Sequence, residues 1–344
     1  MIQVLIADDS PFAAQYLGAL LVSDPEFRVV GVAKSGTEAV SMAQSLRPDI
    51  ICMDVNMPGG DGYSATRTIM ANNPLPVVIV SSDTDQGQVA LSFKALEAGA
   101  LTFVAKPPGP TSPGYARAVR DFIATFKAMA GVKVIRRSSA GSPNNTVTSA
   151  ANFASKTNRN VRIVAIAAST GGPQMLQTIF QNLPRLLSVP VVVVQHITPG
   201  FERGLADWLG KTCSLPISIA IDGETLYAGQ VYIAPDGFHL EVSRGLRVLL
   251  ASGPLEHGVK PAGSRLLRSV AKGFGADAIG VVLTGMGRDG ADGLKLMRDA
   301  GALTIAQTAD SSVVHGMPGE AIRLGAACHV LDPLGIARMI VSET

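Results

Sequence analysis

Residues 164–173 read Val-Ala-Ile-Ala-Ala-Ser-Thr-Gly-Gly-Pro, a short apolar run that leads into a polar turn. The run is aliphatic and unbroken, which is typical of a strand buried on both faces of a sheet. The two glycines allow a tight turn, and Pro173 suits the first turn of a helix. The segment therefore predicts a strand, a turn and a helix, which is the repeating unit of parallel α/β sheets.

The same alternation extends in both directions from this segment. In the second half of the chain, apolar runs lie at Ile163–Ala167, Val191–Val194, Ala278–Leu283 and Leu303–Ala306. The first half has runs at Gln3–Ala7, Arg28–Ala33, Ile50–Met53, Val77–Val80 and Thr102–Val104, separated by stretches with helical periodicity such as Gly36–Leu46 and Gln88–Ala98. We therefore expect two α/β units, an N-terminal sheet of five βα repeats and a C-terminal doubly wound, mostly parallel sheet.

Two regions interrupt this pattern. Between Leu215 and Leu250, short apolar runs are separated by the turn sequences Asp222-Gly223, Ala228-Gly229 and Asp236-Gly237, which predicts an antiparallel hairpin region attached to the second sheet. From about Lys133 to Asn160 the residues are small and polar, which favours a flexible linker. The predicted organisation is a first domain over residues 1–125, a helix end and linker over 126–160, and a second domain over 161–344.

Composition excludes several classes of protein. The 344-residue chain has 29 Lys and Arg against 27 Asp and Glu, a formal net charge of +2, which argues against a nucleic-acid-binding protein. The three cysteines form no Cys-x-x-Cys pair, so neither a zinc site nor a disulfide framework is indicated. The sequence shows neither a signal peptide nor a run long enough to span a membrane. We expect a reduced, cytoplasmic protein without membrane insertion.

Charged and hydroxyl side chains stand at the ends of strands in the first sheet. They are Asp8 and Asp9, Asp54, Ser81 and Ser82, and Lys106. Since the carboxyl ends of parallel strands meet at one edge of a sheet, these groups should converge. Three close carboxylates need a cation, and oxygen ligands suit Mg²⁺, whereas a lysine and a hydroxyl suit a phosphate. Alternatively, these groups only cap strands and helices, as Asp8 could do for a helix near Pro11.

The constellation over residues 1–125 resembles the receiver domain of bacterial response regulators. The resemblance implies that Asp54 is the phosphorylated residue, that Mg²⁺ binds Asp9, Asp54 and the Asn56 carbonyl with help from Asp8, and that Ser81, Phe103 and Lys106 are the switch hydroxyl, the switch aromatic and the phosphate contact. Met57-Pro58 and Asp61-Gly62 match the loop after the phosphorylation site. Gly60 departs from the larger apolar residue that is usual there.

In the second half, three residues with the chemistry of a hydrolase follow predicted strands. Ser169 follows the run quoted first, His196 follows Val191–Val194 and Gln195, and Asp289 lies in a glycine-rich turn. A serine nucleophile, a histidine base and an aspartate that orients the histidine form a catalytic triad, and N–H groups of a glycine turn can stabilise an oxyanion. Taken singly, Ser169 could instead be a helix N-cap, and His196 could only cap its strand.

The glycine-rich turn also supports a different interpretation. Gly285-x-Gly287-x-x-Gly290 follows a predicted strand and precedes a helix, and Asp310 lies about 20 residues further on, as in dinucleotide-binding fingerprints. A nicotinamide-binding domain is therefore a second hypothesis. Against it, the fingerprint normally lies on the first strand of its domain, and it leaves Ser169 and His196 without a role.

A set of motifs resembles the catalytic domain of the CheB family, the chemotaxis protein-glutamate methylesterases. The motifs are Ser169-Thr170-Gly171-Gly172-Pro173, Gln195-His196, Pro199-Gly200-Phe201, Tyr232-Ile233-Ala234-Pro235, Thr284-Gly285-Met286-Gly287-x-Asp289-Gly290, Ala306-Gln307 and Gly316-Met317-Pro318. The resemblance implies a hydrolase that removes methyl esters from glutamate side chains of chemoreceptors and deamidates receptor glutamines. It implies no cofactor for the esterase.

The resemblance also implies roles and partners. Ser169 would attack the ester, His196 would transfer the protons, Asp289 would orient His196, the Met286 N–H would stabilise the oxyanion, and Thr170 would support the site. A histidine kinase of the CheA type would phosphorylate Asp54 and so relieve the inhibition that the receiver exerts on the esterase. We expect a monomer that binds no nucleic acid.

Three stretches depart from the family's usual pattern. Lys260-Pro261-Ala262-Gly263-Ser264 stands in place of an Arg-Pro-Ser-Val-Asp run, Ala309 stands where a glutamate is common, and His315 stands where a phenylalanine is common. These segments leave the choice of substrate open. The alternative function is therefore a diverged regulator of a non-chemotaxis array, with an altered substrate or a silent catalytic site.

Overall fold

The computed structural model describes residues 1–58, 61–81, 86–132, 134 and 160–344. The chain divides into two compact units, Met1–Phe153 and Ala154–Thr344, and each is described by itself. Most of the predicted linker, together with Ser82 and Gly60, lies outside the described residues.

The first unit is a sheet of five parallel strands with helices between them. The strands are β1 (Ile2–Ala7), β2 (Phe27–Ala33), β3 (Ile50–Asp54), β4 (Val77–Ser81) and β5 (Thr102–Ala105), and the helices are α1 (Pro11–Val22), α2 (Gly36–Leu46), α3 (Gly62–Asn72), α4 (Gln86–Glu97) and α5 (Tyr115–Ala130). The strand order is β2-β1-β3-β4-β5, and every neighbouring pair is parallel. The predicted (βα)5 architecture is therefore confirmed.

Burial explains why short aliphatic runs form the centre of this sheet. Every residue of β3 and β4 is buried, whereas the edge strand β2 is exposed in part. Polar residues begin the helices: the Ser10 hydroxyl accepts a hydrogen bond from the Ala13 N–H, and the Asp61 carboxylate accepts one from the Ser64 N–H. The cap of α1 is thus Ser10, and Asp8 is left for another role.

The second unit is built around a parallel sheet of seven strands. The strands of the whole unit are β6 (Ile163–Ala168), β7 (Val191–Gln195), β8 (Ile217–Ile219), β9 (Val231–Ile233), β10 (His239–Val242), β11 (Val248–Ala251), β12 (Ala278–Val282), β13 (Leu303–Gln307) and β14 (His329–Leu331). Its helices are α6 (Gly172–Gln181), α7 (Glu202–Thr212), α8 (Gly263–Phe274), α9 (Ala291–Asp299), α10 (Met317–Arg323) and α11 (Pro333–Glu343). The order of the large sheet is β14-β13-β12-β6-β7-β9-β8, and strands β10 and β11 form a separate antiparallel pair.

The predicted antiparallel region is smaller than the turn sequences suggested. Among the strands that the structure describes, β10 and β11 pair in the antiparallel sense, with His239 opposite Ala251 and Val242 opposite Val248, and an isolated antiparallel bridge joins Thr225 to Arg247. Strands β8 and β9 instead extend the large sheet as parallel edge strands. Each has three residues, which is too short for a period-2 pattern to show its direction.

The core of the second unit is mostly aliphatic, and glycine allows its helices to approach closely. Helices α8 and α9 cross where Gly293 faces Ser264, and a Cβ atom at position 293 would lie 2.8 Å from the Ser264 carbonyl oxygen. Such a distance is closer than packed atoms tolerate. In the described part of the chain, no helix combines the length and the apolar character that crossing a membrane requires.

The substitution Gly293→Ala is expected to lower the free energy of unfolding of the second unit by about 1–3 kcal/mol, because the new methyl group forces α9 away from α8. Trp208 is the one tryptophan of the chain and is buried in α7, so its fluorescence during urea unfolding reports on this unit. The matched control is Gly210→Ala, an exposed helical position with open space around it. Equal stability of the two variants would contradict the packing argument.

Candidate functional site

Three neighbouring strands bring Ser169, His196 and Asp289 to one edge of the large sheet. Strand β6 lies between β12 and β7. Ser169 directly follows β6 and His196 directly follows β7, while Asp289 lies in the loop between β12 and α9. The backbone fixes these positions, since the Ser169 N–H donates to the Thr284 carbonyl at 3.0 Å and the His196 N–H donates to the Ala168 carbonyl at 2.9 Å.

The Asp289 carboxylate is held by three donors. One oxygen, Oδ2, accepts from His196 Nε2 at 2.8 Å and from the Gly263 N–H at 2.6 Å, and the other, Oδ1, accepts from the Ser264 N–H at 2.9 Å. Gly263 and Ser264 form the first turn of α8, so the carboxylate lies at the positive end of a helix dipole. Only 4% of the Asp289 side chain is exposed.

This environment keeps Asp289 ionised. Burial by itself raises the pKa of Asp289, but the hydrogen bond and charge attraction from His196, together with the hydrogen bonds from Ser264, outweigh it and lower the pKa to about 2. An ionised acid beside an imidazole stabilises the imidazolium that forms when the histidine accepts a proton. The pair therefore has the electrostatics of a base and its orienting acid.

The contact with Asp289 fixes the roles of the two His196 nitrogens. Because Nε2 faces a carboxylate, it carries the proton, and Nδ1 is left as the acceptor. Among the described residues, no hydrogen bond joins the Ser169 hydroxyl to His196. Such bonds are often long without substrate and tighten when it binds. The structure thus pairs His196 with Asp289 and places Ser169 on the adjacent strand end.

The turn that carries Ser169 is held by glycines. Gly171, at φ +77°, is the N-cap residue of α6, so the alternative that Ser169 caps this helix is wrong. A Cβ atom at Gly285 would lie 2.6 Å from Ser169 Cβ and 2.3 Å from Met317 Sδ. The glycine at 285 therefore serves close packing against Ser169, which gives it a role without any bound dinucleotide.

Gln195, which the sequence analysis named only as part of a motif, joins two of the candidate residues. Its buried amide nitrogen donates to the Ser169 carbonyl at 2.7 Å and to the His196 carbonyl at 2.8 Å. One side chain thus joins the turn of the candidate nucleophile to the strand end of the candidate base. The signal in the sequence is a polar residue at the end of an otherwise aliphatic strand, where a solvent-facing role is not available.

Thr170 and Met286 border the same site. The Thr170 carbonyl accepts a hydrogen bond from the Thr284 hydroxyl at 3.0 Å, and the Thr284 hydroxyl in turn accepts one from the Val314 N–H at 2.9 Å. Met286 is 36% exposed and follows Gly285 in the loop after β12. Among the residues that the structure describes, no acceptor is paired with the Met286 N–H, which leaves this donor available.

The three stretches that depart from the usual pattern occupy different places. Ala262, Gly263 and Ser264 are buried beside Asp289, and two of them bind it. Ala309 is exposed, whereas His315 is half-buried and pairs with Gly285 in an isolated bridge. Of these stretches, the first therefore bears directly on the His196–Asp289 pair.

A second cluster of charged groups lies at the carboxyl ends of β1, β3 and β5 in the first unit. Lys106 Nζ lies 2.7 Å from Asp8 Oδ2 and 2.8 Å from Asp54 Oδ1. The Asn56 N–H donates to Asp54 Oδ2 at 3.0 Å, and the Ser10 N–H donates to Asp8 Oδ1 at 3.0 Å. Asp8 and Asp54 are both buried, so two carboxylates share one ammonium group.

Electrostatics in this cluster favours an added cation. Burial raises the pKa of Asp54, and the Asp8 charge raises it further, although the contact with Lys106 acts in the opposite direction. The pKa of Lys106 is raised as well, because its bonds to Asp54 and Asp8 outweigh the effect of its burial. The site thus has an excess of buried negative charge, and its oxygen donors fit a hard divalent ion such as Mg²⁺.

The other two residues predicted to bind Mg²⁺, Asp9 and Asn56, lie further from the buried cluster. Asp9 and Asn56 are exposed. In the part of the chain that the structure describes, the group of three donors lying within 4.8 Å of one another is Glu256, His257 and Asp292, and not the predicted set. The structure therefore unites Asp8, Asp54 and Lys106 but leaves Asp9 at the rim.

The two predicted switch residues lie beside this cluster. Ser81 is the last residue of β4 and is buried, and its carbonyl accepts from the Lys106 N–H at 2.8 Å. Phe103, in β5, is buried and packs edge-on against Phe93 with ring centroids 5.1 Å apart. Ser81 is thus bonded to Lys106 at the strand end, whereas Phe103 lies on β5, the strand that leads to Lys106.

Comparisons with known proteins match both units. The family model described as CheB methylesterase matches residues 164–340, and the model described as response regulator receiver domain matches residues 4–112. A relative from Geobacter metallireducens, protein-glutamate methylesterase/protein-glutamine glutaminase 4, is 46% identical over 343 residues, covering 99% of each chain. A relative of the same description from Syntrophus aciditrophicus is 46% identical, covering 99% of this chain and 98% of the relative.

A solved structure agrees with these matches. The catalytic domain of the Thermotoga maritima CheB methylesterase is similar with a TM-score of 0.52 and 38% identity, covering 54% of this chain and 99% of that domain. Both resemblances drawn from the sequence are therefore confirmed.

The excess charge around Asp54 leads to a test of stability. An acid whose pKa is raised by folding costs stability at pH values above that pKa, so Asp54→Asn is expected to stabilise the first unit at pH 7 without divalent ions. Mg²⁺ is expected to stabilise the wild type and to have little effect on the variant. Hydrogen exchange with mass spectrometry, read on peptides from β1, β3 and β4, measures both effects.

The control for this test is Asp121→Asn, which removes an acid that is 65% exposed in α5 of the same unit. It should change neither the exchange of these peptides nor the effect of Mg²⁺. If Asp54→Asn instead destabilised the strands, the argument that Asp8 and Asp54 repel each other would be wrong.

Proposed function

The chain belongs to the CheB methylesterase family, and from this premise we propose that Ser169, His196 and Asp289 carry its hydrolysis of glutamate methyl esters on chemoreceptors. The observation that supports the proposal best is the buried pair of His196 and an ionised Asp289, on the strand ends that flank Ser169. The same residues would deamidate receptor glutamines, because an amide and an ester are attacked at the same kind of carbonyl carbon.

The proposed reaction begins with attack of the Ser169 Oγ on the ester carbonyl carbon. His196 Nδ1 accepts the serine proton, since Nε2 is engaged by Asp289. Collapse of the tetrahedral intermediate expels methanol, which takes the proton from Nδ1, and leaves an acyl-enzyme on Ser169. Water, deprotonated by Nδ1, then releases the glutamate carboxylate and restores the serine. In the serine-protease template the acid holds Nδ1 and Nε2 transfers the proton, so the nitrogens exchange roles here.

The oxyanion of the intermediate would be stabilised by backbone donors around the Ser169 turn. The Met286 N–H is a candidate because it lies in the loop beside Ser169 and is paired with no acceptor in the described residues. Thr170 would act indirectly, since the Thr284 hydroxyl fixes its carbonyl and therefore the turn. Preorganised donors of this kind commonly supply the largest part of the rate enhancement.

We further propose that the first unit regulates the second by phosphorylation. Asp54 would accept a phosphoryl group from a histidine kinase of the CheA type, and Lys106 would pair with the phosphate. Mg²⁺ would bind Asp9, Asp54 and the Asn56 carbonyl with help from Asp8, and it would offset their charge and that of the phosphoryl group. Ser81 and Phe103 would respond to the phosphate.

The proposed bounds are 1–125 for the receiver and 161–344 for the esterase, in a cytoplasmic monomer.

One prediction of the proposed function concerns the nucleophile. Ser169→Ala is expected to reduce methanol release from methylated receptor membranes by at least about 1,000-fold, because residues of a triad act as a unit. Ser188→Ala, an exposed position in the same unit, is the matched control and should retain activity. Normal activity of Ser169→Ala would overturn the assignment. A fully folded wild type that neither releases methanol nor reacts with a fluorophosphonate at Ser169 would instead support the alternative of a silent regulator.

The second prediction concerns regulation. Beryllofluoride with Mg²⁺, which mimics a phosphorylated aspartate, is expected to increase methanol release by the full chain. Asp54→Asn should abolish the increase, because the beryllium needs the carboxylate oxygen, and should leave the basal rate in place. An equal increase in Asp54→Asn would show that the effect does not pass through this aspartate.

A further inference from the structure

We propose that Ser264 is a positioning residue for the esterase reaction, which holds Asp289 in the orientation that His196 requires. The proposal rests on the proposed function, because it concerns the acid of the same triad. Ser264 falls in the stretch where this chain departs from the usual family pattern, so no motif assigns it a role. The argument starts from the fact that its side chain, although polar, is completely buried.

Ser264 binds the Asp289 segment at two points. Its N–H donates to Asp289 Oδ1 at 2.9 Å, and its hydroxyl oxygen accepts from the Gly290 N–H at 2.8 Å. The first bond fixes one carboxylate oxygen, and the second fixes the peptide that directly follows Asp289. The carboxylate and its own backbone are therefore held by one residue, which restricts rotation about the side-chain bonds of Asp289.

Asp292 orients the Ser264 hydroxyl. The hydroxyl donates its proton to Asp292 Oδ1, which leaves its lone pairs for the Gly290 N–H. Burial raises the pKa of Asp292, but the hydrogen bonds from Ser264 and Gly293 and the nearby His257 outweigh it and lower the pKa. An ionised acceptor makes the bond from Ser264 a charge-assisted one, which is stronger than a neutral bond.

Two basic side chains hold Asp292 in turn. His257 Nε2 lies 3.3 Å and Arg268 Nη2 lies 3.5 Å from Asp292 Oδ2, and Arg268 also pairs with Glu256 at 2.6 Å. Arg268 thus contributes positive charge to the cluster of Glu256, His257 and Asp292. The network runs from the surface through Asp292 and Ser264 to Asp289.

A second serine of α8, Ser269, provides a control that distinguishes a positioning role from a purely structural one. The Ser269 hydroxyl also makes two hydrogen bonds, accepting from the Val242 N–H at 3.0 Å and donating to the Leu266 carbonyl at 2.7 Å. It stabilises the same helix, but among the described residues its hydroxyl is bonded to Val242 and Leu266 and not to the triad, whose acid is bound by the first turn of α8. Ser264→Ala and Ser269→Ala should therefore destabilise the unit by similar amounts and differ in catalysis.

The test compares these two variants in the full chain. Ser264→Ala is expected to lower kcat for methanol release by about 10–100-fold, with KM unchanged, because a misplaced supporting group weakens proton transfer and not substrate binding. Ser269→Ala should keep the wild-type kcat. Asp292→Ala, at a half-exposed position, should also lower kcat and provides the test if Ser264→Ala does not fold.

Two readouts do not depend on the receptor substrate. The rate of fluorophosphonate labelling at Ser169 reports activation of the nucleophile, and the downfield proton NMR signal of His196 Nε2–H, assigned with His196→Gln, reports its bond to Asp289. Ser264→Ala is expected to slow labelling and shift this signal, whereas Ser269→Ala should change neither. If the wild type reacted with the fluorophosphonate but released no methanol, the proposed substrate would be wrong. The labelling and NMR tests of positioning would still apply. Wild-type kcat, labelling and NMR signal in both Ser264→Ala and Asp292→Ala would overturn the proposal.

Discussion

The buried carboxylate of Asp289 is the constraint on which the second unit depends. A charge removed from water must be paired and hydrogen-bonded, or it costs several kcal/mol. Here the pairing comes from three donors on two elements: His196 after β7, and the Gly263 and Ser264 N–H groups at the start of α8. Satisfying the acid therefore requires that α8 pack against the strand ends. The same contacts that allow burial also fix the imidazole, so folding and catalytic geometry share one set of interactions.

The two units use the same edge of a parallel sheet with opposite electrostatics. In the second unit three donors surround the single carboxylate of Asp289, and its pKa falls to about 2. In the first unit Asp8 and Asp54 share the one ammonium group of Lys106 and accept one backbone N–H each, and the pKa of Asp54 rises. A permanently ionised acid suits an orienting role, whereas an under-compensated pair suits a site that gains a cation and a phosphoryl group. The difference comes from the number of donors at each strand end, because the strand geometry is alike.

Much of this organisation could be predicted from the sequence, because buried parallel strands are continuous aliphatic runs and their ends locate the polar groups. Strands β6, β7 and β12 are predicted in this way, and the positions of Ser169, His196 and Asp289 follow from them. The directions of β8 and β9 could not be predicted, since three residues carry no usable period. Nor could the contacts of Gln195 and Ser264 with the site be predicted. Their importance depends on which backbone atoms approach in space, and such approaches leave no spacing in the sequence.

The departures in residues 260–264 raise the question of how the site keeps its acid when neighbouring residues differ from the usual pattern. Two of the three bonds to Asp289 come from backbone N–H groups, which every residue except proline offers. The side chains matter only through size and one hydroxyl. A Cβ atom at Gly263 would lie 2.5 Å from Ala167 Cβ, so a glycine lets α8 reach the acid. The Ser264 hydroxyl then fixes the following peptide. A different sequence thus supports the same carboxylate, because the position of the helix end supplies two of its donors and the Ser264 hydroxyl holds the peptide that follows it.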